Sequence, residues 1–598
     1  NYPVPTVTGL TASACIGQNA LIWDPAPGAF SYSLYYSTSA FTDIEDATKT
    51  SVTAPPVFHT GLSNETTYYY RVAAVGEAGE GLASPMKSAT PSLTPMNTPD
   101  PLFQGQWHLT NTGQCGGAPE DCGTPGEDLN VQPVWDACLR GEGVRVTVVD
   151  EELEIGHEDL DQNTPATGHV DYRENDNDPT GSATREHGTA VGGIIAARDG
   201  NGLGVHGVAP RATLIGYNLL TKYSSINLLD SFTRDVVNQD VSNNSWGNIT
   251  KAGDLVPALS SFAMAMEEGT TLGRDGKGVV YLMAAGNDGG CATDAVETCL
   301  VDSNFDGYHN HRGMLIVAAV DADGVKADYS ERGANLWISG PAGPGGDGLN
   351  ITTTDRTGTT GYNDGQSLIE LDNINYTNDF AGTSAATPAV AGVVALMLQA
   401  NPDLGWRDVR HILAQTARKN DAANGEWTTN GAGYNINLNY GFGIPDAQAA
   451  TACAVGWTNV GTELSSGPHS ATPAMAIPDN DMTGISDTIS VAASGIGAIE
   501  YINVLFSASD HPFAGDLEIT LINETDGTES VLAPAHECGG GSCDGYDEWE
   551  FATVFHLGEA ADGDWTLRVR DLGPLDTGTF ESWSIIFYGT ASGPGSCP

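Results

Sequence analysis

Basic residues are scarce. Only 24 Lys and Arg stand against 76 Asp and Glu, which leaves a formal net charge of −52 on 598 residues. A surface of that sign repels a phosphate backbone, so a nucleic-acid partner is excluded. Adaptation to salty surroundings, where counter-ions screen the self-repulsion, accounts for such a surface without a functional role. No apolar run approaches the roughly 20 residues of a membrane helix, and no membrane span is expected. The opening Asn1-Tyr2-Pro3-Val4-Pro5 lacks the charged start and apolar stretch of a signal peptide, and reads as an end left by processing. Cys-x-x-Cys is also missing, which weighs against zinc. What is present is an even number of cysteines, ten, as suits an oxidising, extracellular compartment and a secreted chain. Cys115/Cys122, Cys291/Cys299 and Cys538/Cys543 are close enough to close small loops. Cys453 and Cys597 bracket the last part of the chain, and Cys15 and Cys138 are left without an assigned pairing.

Hydrophobic residues make up 40% of the chain, ample for a sizeable core. Residues 1–92 alternate apolar and polar in short runs. Ala20–Trp23, Ser31–Tyr36 and Thr67–Ala74 are strand-like, with a turn at Pro25-Ala26-Pro27-Gly28. This patterning resembles a fibronectin type III module, a β-sandwich that binds a ligand or spaces its neighbours. Residues 93–99, within a Pro/Thr-rich stretch, read as a linker. From 100 to 452 buried strands (144–150, 213–217, 278–284, 314–318) alternate with helical segments near 225–239, 256–268, 383–399 and 404–418. That order predicts an α/β domain with a mainly parallel sheet between helices. Residues 453–598 return to strands separated by Gly/Asp turns, a second all-β sandwich of jelly-roll type.

Three segments carry chemistry. Asp150 ends the buried run Val148-Val149-Asp150. His187 opens the small-residue helix of Arg185-Glu186-His187-Gly188-Thr189. Ser384 opens the helix of Gly382-Thr383-Ser384-Ala385-Ala386-Thr387-Pro388. A hydroxyl, an imidazole and a carboxylate can make a nucleophile, its general base and the group that orients the base. Their order and context resemble the subtilases. The resemblance implies a catalytic triad of Asp150, His187 and Ser384, with Asn287 of Met283-Ala-Ala-Gly-Asn287 donating to the oxyanion together with Ser384 N–H. It also implies that Ser245-Trp246-Gly247 pairs with extended substrate backbone. One departure is Glu152, where subtilases usually keep a glycine. Asp100–Leu109, Asp128–Trp135, Asn304–Tyr308 and Leu404–Val409, with Gly563–Asp571 and Gly578–Gly589 in the last segment, are similar to the kexin and furin branch, including its P domain.

That branch implies calcium, a hard cation that takes oxygen ligands. The loop Ala197–Val205 is similar to a subtilase calcium loop, with side-chain oxygens from Asp100, Asp159 and Asn201 and carbonyls from Arg198, Leu203 and Val205. A second acidic run offers Asp171, Asp176 and Asp178, and a third pairing offers Asp302 with Glu331. Kexins and furins cut protein or peptide substrates after basic residues, through acids lining the cleft. Here Asp306, ahead of Gly307 and Tyr308, matches an acid of the primary pocket, and Glu151 faces the preceding substrate residue. Thr250 stands where a partner acid is expected, so broad specificity is the competing expectation. A weakly active or inactive homologue that binds through its β-domains is the alternative function.

Overall fold

The computed structural model describes residues 4–53, 55, 57–91, 100–116, 122–181, 185–248, 253–290, 301–346, 348–366, 370–536 and 545–597. The linker expected at 93–99, Thr250 and the pairs Cys291/Cys299 and Cys538/Cys543 lie outside them. The chain divides into two compact units, Asn1–Pro99 with Val131–Gly143, and Asp100–Asn130 with Val144–Pro598.

In the first unit, strands Thr11–Cys15, Gln18–Ile22 and Val57–His59 form one antiparallel sheet. Thr48–Val52, Ala29–Ser37, Tyr68–Gly76, Gly79–Glu80 and Lys87–Ala89 form another. Alternate residues point to one face of a strand, and Leu21, Trp23, Tyr32, Leu34, Tyr70 and Val72 are buried together on that account. Cys15 is bonded to Cys138, the pair the sequence left unassigned.

The second unit is built on seven parallel strands: β1 (Arg145–Asp150), β2 (Val170–Asp171), β3 (Thr213–Asn218), β4 (Val241–Asn244), β5 (Val280–Ala284), β6 (Met314–Val320) and β7 (Leu336–Pro341). Their order is β2-β3-β1-β4-β5-β6-β7. A parallel sheet covered on both faces needs apolar residues throughout, not alternation, and Val146 to Asp150 of β1 and all of β5 and β6 are buried. The covering helices are α1 (His187–Ala196), α2 (Ser225–Thr233), α3 (Phe262–Gly276), α4 (Thr383–Ala400) and α5 (Trp406–Thr416). Phe232 of α2 stacks on Tyr281 of β5 at 5.3 Å and meets Phe262 of α3 edge-on at 6.0 Å. Each such large side chain contributes roughly 1.5–3 kcal/mol through burial. By length and composition α4 could cross a membrane, but 89% of it is buried inside the unit, as the core helix under the sheet.

Small residues let α1 approach its neighbours. A Cβ on Gly193 would lie 2.1 Å from Thr354 Oγ1 and 2.5 Å from Thr353 Oγ1. Those threonines belong to β8 (Ile351–Thr354), which pairs antiparallel with β9 (Tyr376–Phe380). Their hydroxyls donate to the carbonyls of Ala190 and Thr189, which locks α1 to this hairpin.

The carboxyl-terminal part holds two four-stranded antiparallel sheets. One is ordered Leu464–Ala471, Ser582–Thr590, Ala498–Ala508, Tyr546–Thr553; the other Ile485–Val491, Gly563–Asp571, Leu517–Asn523, Thr528–Ala533. Trp565 of the second packs 5.0 Å from Phe587 of the first, so the sheets share one core. Cys453 and Cys597 are bonded, as are Cys115 and Cys122. The architecture is the expected α/β domain with a mainly parallel sheet, flanked by β-rich parts.

Candidate active site

Asp150 is the last residue of β1, with β3 on one side and β4 on the other. Open parallel sheets bind ligands where the strand order turns in this way. His187 opens α1 beside it. A Cβ on Gly188 would meet Glu152 O at 2.6 Å and Asp150 Cβ at 3.4 Å, so the helix can start this close only with glycine after the histidine. His187 Nδ1 lies 2.8 Å from Asp150 Oδ1, and the same oxygen accepts Glu151 N–H at 2.7 Å. Burial opposes a charged imidazole, but Asp150 outweighs it, with Glu151 and Glu186 adding, and the pKa of His187 is raised above 6.5. The His187 ring also packs edge-on against Phe380 at 5.4 Å.

Ser384 is the second residue of α4. Gly382 precedes the helix at φ +88°, a conformation that favours glycine. Pro388 stands inside the helix. It has no N–H to give the carbonyl four residues back, which is that of Ser384. That carbonyl accepts from Ser245 Oγ instead, at 3.0 Å, and Ser384 Oγ donates to Ser245 O at 3.2 Å. Asn243 Nδ2 in turn holds Ser245 Oγ at 3.0 Å. Among the described residues no hydrogen bond joins Ser384 to His187; such contacts are often loose until substrate is bound. Asn287 is fixed by its oxygen, which accepts from Thr383 N–H at 2.8 Å and Thr383 Oγ1 at 2.9 Å. Its Nδ2 is thereby left to donate elsewhere. A Cβ on Gly382 would lie 3.3 Å from Asn287 Nδ2 and 3.6 Å from Ser384 N, so these two donors flank one small space.

Gly247 is exposed and Trp246 half-buried, with Trp246 Nε1 donating to Val149 O at 2.9 Å. Asp306 is buried and satisfied by the chain itself. It accepts from Asn248 N–H at 2.6 Å, Asn248 Nδ2 at 2.9 Å and Tyr308 N–H at 2.9 Å. Tyr308 lies in the core, not on a cleft, because its hydroxyl pairs with that of Tyr223 and accepts Leu259 N–H at 3.1 Å. Glu151 forms an ion pair with Arg185. Glu152, the departure from the subtilase pattern, is buried and pairs with Arg356 at 3.2 Å, which anchors the turn after β1. Pro388, Thr383, Asn248 and Arg185 had no role assigned from the sequence. Only Pro388 carried a signal, a proline four residues after the serine in a helical run.

Of the expected calcium ligands, Asp100 and Asp159 are buried and close enough to repel. Burial first, and then Asp100, push the Asp159 pKa up to about 7. Gly200 N–H and Gly202 N–H donate to Asp100. Asn201 Nδ2 and Val205 N–H donate to Asp159, while Asn201 Oδ1 accepts Leu203 N–H. Arg198 N–H donates to the Asp159 carbonyl at 2.8 Å. The carboxylates and the amide suit a hard cation, provided the Asn201 amide turns its oxygen inward. Asp171, Asp176 and Asp178 instead cap their own turns through N–H groups two or three residues on, with Asp171 Oδ2 buried without a hydrogen bond. Asp302 and Glu331 are buried on adjoining segments, Ser303 N–H donating to Arg332 O at 2.7 Å, and burial raises the Asp302 pKa to about 7. Among the described residues no group of three or more His, Cys, Asp or Glu converges as a metal site.

Residues 141–443 match the subtilase family, and residues 503–587 match the proprotein convertase P-domain. Proprotein convertase subtilisin/kexin type 6 of Homo sapiens is 32% identical over 519 residues, 83% of this chain and 49% of that protein. Dibasic-processing endoprotease of Schizosaccharomyces pombe is 32% identical over 516 residues, 83% of this chain and 66% of that protein. Neuroendocrine convertase 2 of Homo sapiens is 30% identical over 514 residues, 83% of this chain and 75% of that protein. The chain thus spans about half to two thirds of the first two. The crystal structure of the serine protease of Aeromonas sobria in complex with its chaperone superposes with a TM-score of 0.75 at 28% identity, covering 82% of this chain and 95% of that one.

Proposed function

The chain belongs to the subtilase family, in the branch that carries a proprotein convertase P-domain, and from that premise we propose that it is a secreted, calcium-dependent serine endopeptidase. The observation that carries the reading is the 2.8 Å contact between Asp150 and His187 beside a serine whose N–H shares one small space with Asn287 Nδ2. Ser384 Oγ attacks the scissile carbonyl and passes its proton to His187 Nε2. Asp150 holds the other ring nitrogen and stabilises the imidazolium. The oxyanion takes hydrogen bonds from Asn287 Nδ2 and Ser384 N–H. His187 then gives the proton to the leaving amine, and water repeats the sequence on the acyl-enzyme. Replacing Ser384 by Ala should abolish casein cleavage at an unchanged melting temperature, and cleavage retained in that variant refutes the assignment.

Asp100, Asp159 and Asn201 would hold calcium, with carbonyls of Arg198, Leu203 and Val205 completing the shell. The ion would supply positive charge between two buried carboxylates and so tie the loop after α1. Asp171, Asp176 and Asp178, which accept the N–H groups of their own turns, and the Asp302 and Glu331 pairing add no further site to this reading. Secretion fits the disulfides. The proposed divisions are 1–92 as a fibronectin type III-like module, 93–99 as linker, 100–452 as the catalytic domain and 453–598 as the P domain. Asp306 already has its donors, so a basic preference would be read mainly through Glu151, at the substrate residue preceding the one in the primary pocket.

A further inference from the structure

Glu151 and Arg185 face solvent over 28% and 40% of their side chains. The backbone pins this ion pair to the Asp150–His187 contact at both ends. Glu151 N–H donates to the Asp150 oxygen that meets His187, and Arg185 stands two residues before His187. Glu186 lies between, and the charges of Glu151 and Glu186 both act on the imidazole. The rim is therefore an acidic patch one residue from the proposed triad, and in a chain with so few bases an arginine occupies it. Asp306 offers a contrast. Its three donors come from the chain and it has almost no exposed surface, so it cannot easily exchange partners. The Glu151–Arg185 pair can, because an exposed ion pair is weak and in contact with water.

Resting on the endopeptidase reading, we infer that Arg185 is a specificity-determining residue that competes with a basic side chain of the substrate for the Glu151 carboxylate. A substrate Arg or Lys reaching this rim gains one ion pair and displaces another, so its net advantage over an apolar residue is small. Arg185 thereby flattens a preference that Glu151 alone would impose.

The test is a peptide library varied at each of the four residues before the scissile bond, read as the ratio of kcat/KM for Arg or Lys over Leu. Arg185→Ala should raise that ratio at one position by about two- to fivefold, the factor an exposed ion pair is worth. Arg185→Lys should stay near the wild-type ratio, and the double variant Arg185→Ala, Glu151→Gln should lose the gain. An unchanged profile in Arg185→Ala, or a gain that survives in the double variant, overturns the inference. The Ser384→Ala variant run in the same assay separates the two readings. Without Ser384-dependent cleavage both fall, whereas Ser384-dependent cleavage with an unchanged Arg185→Ala profile sinks only this one.

Discussion

His187 sits among three carboxylates, those of Asp150, Glu151 and Glu186, and the consequence is a sign. Negative charge favours the imidazolium, while a general base must be neutral to take the serine proton. The raised pKa therefore places the acid limb of the kcat/KM profile above pH 6.5, with activity falling as pH drops through it. Glu186→Gln removes one negative charge, and the limb should move to lower pH, as measured on a neutral peptide. A limb that does not move would remove Glu186 from this account. Asp150, His187, Ser384 and Asn287 stood out as candidates in the sequence because each lies in a long local pattern near a strand end or helix start. Asn248 on Asp306, Glu152 on Arg356 and Ser245 on Ser384 did not. Their partners are 58, 204 and 139 residues away, and no local pattern records such meetings.

The elements themselves were legible where burial or periodicity is strong: β1, β3, β6 and α4 fall within two residues of their expected bounds. The segment expected to be helical at 256–268 instead starts its helix at Phe262. Val256 N–H donates to Phe305 O, and Val256 O accepts Gly307 N–H, so this stretch is extended and paired before the helix can begin. The helix expected at 225–239 stops at Thr233, because Arg234 turns to an extended conformation and Asp235 takes φ +53°. At this scale the loop after α1 makes its own prediction. With Asp159 pushed up to about 7, a cation must compete with a proton, so calcium should bind less well below that pH. A ligand that binds only the folded form stabilises it by roughly 2.7 kcal/mol at a hundred times its Kd. EDTA should accordingly lower the melting temperature of the wild type at pH 8. In Asp159→Asn the same chelation should have much less effect, and equal shifts in both proteins would place the calcium elsewhere.

Across the second unit, α5 and the Ala498–Ala508 strand meet through buried charge. Arg407 grips Glu500 with two hydrogen bonds, of 2.6 and 2.7 Å, and His411 Nε2 lies 2.9 Å from the same carboxylate. Burial opposes the charged Glu500, but these partners outweigh it and hold its pKa down to about 2. A depressed carboxyl pKa gives stability that is present above the unfolded value near 4.3 and is lost as pH falls toward 2. Glu500→Gln should destabilise by about 3–5 kcal/mol at pH 7, since Arg407 is left buried without its counter-charge. The loss should shrink as pH falls below 4, which urea melts at several pH values would measure; a loss independent of pH would sink the ion-pair account. The neighbouring strand is braced by neutral hydrogen bonds instead. Trp549 Nε1 donates to Asn304 O and Ala552 N–H to Asn304 Oδ1, two residues from Asp306. The carboxyl-terminal β-sandwich thus braces the segment that carries Asp306.

The bond between Cys453 and Cys597 spans 144 residues. Any backbone cut between them leaves two ends of one still-linked molecule. A chain proposed to live among peptide-cleaving copies of itself can therefore be nicked in this region without shedding a fragment, until a reductant opens the link.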